Sequence, residues 1–239
     1  MDLTIFYLDN HRFTTFDWQH LFTIILFFAF GIISIANARK WDSDKQERWA
    51  LRFAWTLSIT VVAWVVLRIS FGLFNPKTDL PFDLCNISAL LMPFFIKNRR
   101  NWMFQVLYYW IMAGTTQAIL TPHLYDGFPH YTFVKYFLVH CGLVVLILYV
   151  LFVFEFRPNL RGIAMAFGAI QVFLIFLIIA NTIVGANYGY ICNKPDTASL
   201  LDYFGPHPYY ILVSQGVALL FFFFYWLPFS KFKLNRNGI

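Results

Sequence analysis

Seven long apolar runs cross this chain, and the lysines and arginines between them fall on alternate connections. A helix needs about 20 apolar residues to cross the ~30 Å hydrocarbon core of a bilayer. The runs read as Trp18–Ala38, Ala50–Leu73, Asp83–Ile96, Trp102–Leu120, Thr132–Phe154, Gly162–Val184 and Pro208–Pro228. The third is short and opens on polar residues. Backbone polar groups have no water partner inside a bilayer, so spans of this length must be helical. The pattern therefore predicts an all-α fold: a single domain over residues 1–239, built as a polytopic bundle of seven transmembrane helices.

Charge sets the expected orientation. Arg39, Lys40, Lys45 and Arg48 follow the first run, and Lys97, Arg99 and Arg100 follow the third. Arg157 and Arg161 follow the fifth, and Lys231, Lys233 and Arg236 lie in the tail. The opposite loops hold only Arg12, Lys77 and Lys194. Basic residues collect on the cytoplasmic side, so the N-terminus is expected outside and the C-terminus inside, in the cell membrane. The net charge of +6 then belongs to the lipid boundary and does not point to nucleic acid. Asp2, Asp9 and Asp17 leave no basic region of the kind that opens a cleavable signal peptide.

That orientation gathers the chemistry at the outer end. His11, His20, His123, His130, His140 and His207 all fall there, with Cys85, Cys141 and Cys192. The connections Leu80–Asp83, Thr121–His130 and Asn187–Pro208 carry most of the polar features. The Pro195–Pro208 stretch reads as a folded loop. Three cysteines leave at least one thiol unpaired within the chain, and a Cys85–Cys192 bridge remains open.

Cys85 stands in Leu80-Pro81-Phe82-Asp83-Leu84-Cys85-Asn86, near a helix start. Proline suits a first helical turn, and unpaired backbone N–H groups there favour a reactive thiol. Asp83 can cap the turn, although its charge opposes a thiolate. The plainer reading makes Cys85 a small packing residue. His140 lies about nine residues into its run, roughly 13 Å deep. An ionisable group at that depth faces the interior with a partner. Together the two suggest a nucleophile and its base, or else a packed thiol and a hydrogen-bonded neutral imidazole. Arg68 either pairs with an acid such as Asp83, meets a lipid phosphate, or snorkels to the headgroups. Asn86, Thr115, Thr116, Gln117, Asn181, Thr182, Asn187 and Tyr188 supply further polar groups, each explicable as an inter-helix hydrogen bond. Haem held by His20 and His140 would be another chemistry, but the histidines scatter over loops instead of pairing along two helices. No metal and no cofactor is expected.

Several stretches together carry a resemblance. They are Leu80–Cys85, Ala118-Ile119-Leu120-Thr121-Pro122, Phe128-Pro129-His130, Phe137-Leu138-Val139-His140, Ala186-Asn187-Tyr188 with Lys194-Pro195, and Ser199–Tyr209. They resemble the YwaF-like family of bacterial integral membrane proteins, related to eukaryotic TMEM-type seven-helix lipid acyltransferases. The likeness runs strongly from Leu80 to Phe229 and loosely over the first two runs. It implies a cysteine-dependent phospholipid acyltransferase or transacylase that needs no acyl-CoA, with Cys85 as nucleophile and His140 as base. Arg68, Asn86, Gln117, Asn187 and Tyr188 are the expected substrate contacts. Membrane phospholipids are the expected partners, with a protein partner in a membrane complex as a further expectation. Many relatives carry His where this chain has Asp83. The competing expectation is a non-enzymatic accessory subunit or a small-solute or lipid-binding carrier.

Overall fold

Polar side chains set where the helices begin. The computed structural model describes residues 12–196 and 199–231; Asp2, Asp9, His11, Lys233 and Arg236 lie outside them. The Asp17 carboxylate accepts from His20 N–H at 2.9 Å and caps α1 (Trp18–Ala38). The Asp42 carboxylate accepts from Lys45 N–H at 2.8 Å and caps α2 (Ser43–Ser70). The remaining helices are α3 (Leu84–Asn98), α4 (Asn101–Trp110), α5 (Thr116–Leu120), α6 (Tyr131–Phe152), α7 (Leu160–Val184) and α8 (Tyr209–Trp226). An Asn159 side chain starts α7, and Gly185 ends it at φ +68°, a left-handed turn that suits glycine. Among the described residues there is no named strand, only an isolated bridge between Arg12 and Asp126.

Two expected boundaries are corrected. The second helix begins at Ser43, not Ala50, because its polar first turns are capped by Asp42 and carry Asp44. It also stops at Ser70, where Gly72 turns the chain at φ +67°. The run expected over Trp102–Leu120 is not one α-helix. A π-helical segment, Ile111–Thr115, joins α4 to α5. Such widened turns insert an extra residue and occur often at functional sites.

Side-chain bonds show that the helical columns alternate in direction. At one end, Arg99 after α3 meets Glu47 of α2 at 2.8 Å, and the Tyr149 hydroxyl of α6 donates to Gln46 O at 3.1 Å. At the same end Gln105 of α4 donates to Arg157 O at 3.0 Å. At the other end, His20 of α1 meets Ile119 O of α5 at 2.8 Å. There the Tyr131 hydroxyl of α6 donates to Thr60 O of α2 at 3.2 Å, and Tyr210 of α8 donates to Tyr190 O, just past α7, at 2.6 Å.

Five helices are long and apolar enough to cross a membrane: α1, α2, α6, α7 and Tyr209–Phe229, while α3 is apolar but shorter. Of the apolar window in α6, 61% is buried, against 28% or less in the others, so α6 is the axis of the bundle. Ile25, Phe28, Val172, Ile183, Leu212 and Phe224 are exposed on α1, α7 and α8. Apolar surface on that scale needs lipid as its solvent. Gly142 lets α2 approach α6, since an added Cβ would lie 2.6 Å from Leu57; small residues at helix contacts serve this end in membranes.

Pro93 sits inside α3 and has no N–H for the carbonyl four residues back, which is Ala89 O. The buried Ser58 hydroxyl of α2 donates to that same Ala89 O at 2.7 Å. We expect Ser58→Ala to cost about 1–3 kcal/mol, the penalty of a buried unsatisfied group. Adding Pro93→Ala should recover part of the loss by restoring the helix's own N–H. Thermal unfolding of the two single variants and the double variant in detergent would read this, and simple additivity would contradict it.

Candidate functional site

The first turn of α3 carries the site's nucleophile candidate. Asp83 occupies the cap position without a side-chain cap bond; its carboxylate instead accepts from Asn86 Nδ2 at 3.3 Å. This corrects the expectation that Asp83 caps the turn through its side chain. Pro81 lies ahead of the cap, not inside the first turn. Cys85 is the second helical residue and is half-buried. Its Sγ lies 3.4 Å from Thr115 Oγ1. Thr115 is buried and closes the π segment, so the widened turn of the fourth column places a hydroxyl against the thiol. Thr116, next along, meets the Tyr225 hydroxyl of α8 at 3.0 Å and donates to Met112 O.

His140 comes from α6. Its Nδ1 lies 2.7 Å from Tyr136 O. A carbonyl only accepts, so Nδ1 carries the hydrogen and Nε2 keeps a lone pair. Nε2 has no hydrogen-bond partner among the described residues. The ring stacks on Tyr136 at 4.1 Å and 23°, and the Tyr136 hydroxyl donates to Ala118 O of α5 at 2.8 Å. Both of His140's chain neighbours, Val139 and Cys141, are buried, yet His140 is only half-buried.

Tyr136 stacks on His140 and lies within electrostatic reach of Cys85. No hydrogen bond links Cys85 to His140 directly; the thiol's partner is Thr115. Catalytic contacts are commonly loose before substrate binds. The surroundings are polar. Asp83 is exposed toward this end and interacts electrostatically with Cys85 and Lys135. In the adjoining turn, burial together with the Asp83 carboxylate pushes the Tyr190 phenol up to about 12. Burial also holds His123 below its ordinary value, against the opposing charge of Asp196.

Other expected contacts are used inside the protein. Arg68 pairs with Asp79, not Asp83: its Nε lies 3.0 Å from Asp79 Oδ2, and Asp79 is buried. The Tyr188 hydroxyl donates to Pro76 O at 2.8 Å and accepts from Leu80 N–H at 2.9 Å, so this buried ring pins the Pro76–Leu80 turn. Asn187 donates to Asn193 O and accepts from Cys192 and Asn193 N–H, which commits its amide to its own loop. Gln117 is half-buried at the start of α5, and its carbonyl accepts from Thr121. Cys85, Cys141 and Cys192 are free thiols, so the Cys85–Cys192 bridge does not form. His20 uses both ring nitrogens: Nδ1 accepts from Phe16 N–H at 3.0 Å, and Nε2 donates to Ile119 O. It has no lone pair left for an iron. Among the described residues no three His, Cys, Asp or Glu side chains converge as a metal-binding group.

Two side chains of this region escaped the sequence reading. Lys135 is a cation inside an apolar run, passed over because basic residues were counted in the loops. Tyr136 stands four residues before His140, the spacing that stacks side chains on one helical face, and that spacing was a usable signal.

The chain is thus a polytopic helical membrane protein whose histidine-bearing end gathers Cys85, Thr115, Tyr136 and His140. The TMEM164 family model matches residues 15–226, and the chain belongs to the TMEM164 family, a family of transmembrane proteins. No curated protein and no solved structure matches it significantly.

Proposed function

We propose that this chain is a phospholipid acyltransferase of the transacylase type, working without acyl-CoA at the outer side of the cell membrane. The observation that carries the reading is a free thiol in a helix's first turn, at the same end of the bundle as an imidazole whose Nδ1 is bonded and whose Nε2 lone pair is unengaged. In the reaction, His140 Nε2 takes the Cys85 proton as sulfur attacks an acyl ester carbon. The tetrahedral oxyanion meets the backbone N–H groups that open α3, with the Asn86 amide beside them. The ester C–O bond then breaks, and the departing lysophospholipid oxygen takes the proton from His140. A thioester remains on Cys85. An acceptor lysophospholipid hydroxyl gives its proton to His140 and attacks the thioester, which returns the thiol.

The reading includes seven spans with the N-terminus outside and the C-terminus cytoplasmic, as charge placement demands. It treats the whole of 1–239 as one domain, phospholipids as its membrane partners, and a protein partner as part of a membrane complex. It places the chain near the YwaF-like proteins and the eukaryotic acyltransferases. A second reading, a lipid-binding carrier, has one observation in its favour. A groove of about 480 Å³ between α7 and α8 is lined by Gln171, Ile178, Asn181, Cys192, His207 and Gln215, and includes neither Cys85 nor His140.

The test is reconstitution in liposomes with an acyl-labelled phosphatidylethanolamine, an unlabelled lysophospholipid and no acyl-CoA. Transfer of label to the acceptor is the expected result. Stoichiometric lipid binding without transfer would move the conclusion to the carrier.

A further inference from the structure

We infer that Lys135 binds the phosphate of a lipid headgroup at the end of the bundle that holds Cys85 and His140; this rests on the phospholipid reading above. Arg68, the cation that the sequence offered for this task, is already committed. Asp79 takes its Nε at 3.0 Å and also accepts from Asn75 N–H at 2.7 Å. That buried carboxylate ties the arginine to its own loop as a strut. Lys135 is half-buried and makes no ion pair among the described residues.

Its ammonium is instead held by an aromatic face. The Lys135 nitrogen lies 5.0 Å from the Trp64 ring centroid, and the Arg68 guanidinium lies 5.5 Å from the same ring. Tyr131 stacks on Trp64 at 5.7 Å and 5°, which fixes the indole. Two cations thus share one rigid ring, and the Arg68 charge is cancelled by Asp79. The charged groups that act on Lys135 are Asp83, which contacts Asn86, and Asp79, which is bonded to Arg68; the neutral His140 stands further along α6. A cation in a membrane span without a paired anion is costly unless it serves a pathway or a ligand.

Depth fits a headgroup. Lys135 is the fifth residue of α6, so it sits about 6 Å below the helix start, and His140 lies about 7.5 Å deeper along the axis. In a glycerophospholipid the phosphate and the ester carbonyls are a few bonds apart in the same sense. A phosphate on Lys135 would leave an ester carbonyl at the level of His140. The ammonium acts as a point charge for phosphate.

The experiment measures binding by the full chain in detergent of a diether phosphatidylethanolamine and of the matching diether glycerol, which lacks the phosphate. The proteins are wild type, Lys135→Met and Lys135→Arg, with Lys135→Gln replacing the Met variant should that one fail to fold. Lys135→Met should weaken the phospholipid about tenfold or more, the loss of one hydrogen bond to a charged group. It should leave the diether glycerol unchanged, and Lys135→Arg should keep both. Equal phospholipid binding by wild type and Lys135→Met would overturn the assignment. Displacement by millimolar inorganic phosphate as strong as by lipid would overturn the headgroup as its source. A diether lipid has no ester, so the result is read whether or not Cys85 transfers acyl groups. Binding as expected with no transfer would remove the enzyme reading alone.

Discussion

Cys85→Ala is expected to abolish transfer of a labelled acyl chain between lipids, by roughly 10³-fold or more, the scale of loss when a covalent nucleophile is removed. The expectation follows from what stands around the sulfur. Among the described residues its only hydrogen-bond contact is Thr115 Oγ1 at 3.4 Å, and it is neither bridged to another cysteine nor fully buried. Removing it should leave the bundle intact, since deletion of one sulfur atom from a half-buried residue opens no large cavity. Thermal unfolding should therefore barely move while the rate collapses. Cys85→Ser should also be nearly inactive, because a hydroxyl is a far weaker nucleophile without ionisation. The readout is the initial rate in liposomes, with a thiol-directed label to check occupancy. Wild-type rates in Cys85→Ala would exclude the thioester and with it the proposed chemistry.

Much of the fold was legible because lipid imposes a harsh rule on sequence. The bounds of α1 were read residue for residue, since Asp17 caps an apolar run directly. The start of α2 was hidden because its first turns lie among polar residues, where hydropathy falls silent. Asp42, with Asp44 in the turn that follows, was the available sign, as a cap precedes a helix whatever its hydropathy. The π segment in the fourth column had no such sign. Ile111–Thr115 reads as ordinary apolar helix, and only packing against α3, α6 and α8 reveals the widened turn.

The site was legible in its residue types and not in its pairings. Asp79 and Asp83 are both acids within one loop of Arg68, and sequence distance does not choose between them. The choice is made by Tyr188, 108 residues beyond Leu80, which fixes the turn that carries Asp79. Asn187 and Tyr188 drew notice as polar residues beside a helix end, yet their hydrogen bonds close within loops. The contacts of Cys85 and His140 are instead made by Thr115 and Tyr136, one an apparent helix-packing threonine, the other an aromatic in an aromatic-rich run. Neither type announces a site until two helices are set side by side.

The tautomer of His140 leads to the second large effect. A histidine in a helix can donate Nδ1–H to the carbonyl four residues back, as His140 does to Tyr136 O at 2.7 Å. That bond fixes Nε2 as the basic nitrogen. His140→Ala is expected to slow transfer by about 10²–10⁴-fold, the usual contribution of a positioned base. The loss should carry a signature that a packing defect would lack. Wild-type activity should fall as pH drops and the imidazole becomes protonated, because a protonated ring cannot take the Cys85 proton. The His140→Ala variant should lose that acidic limb and keep a low rate that rises with hydroxide instead. Tyr136→Phe keeps the stacked ring and the carbonyl but removes the bond to Ala118 O. It should therefore cost far less than His140→Ala and retain the acidic limb. A His140→Ala enzyme that keeps the wild-type pH profile at reduced rate would mean that the imidazole only packs, and that another group takes the proton from the thiol.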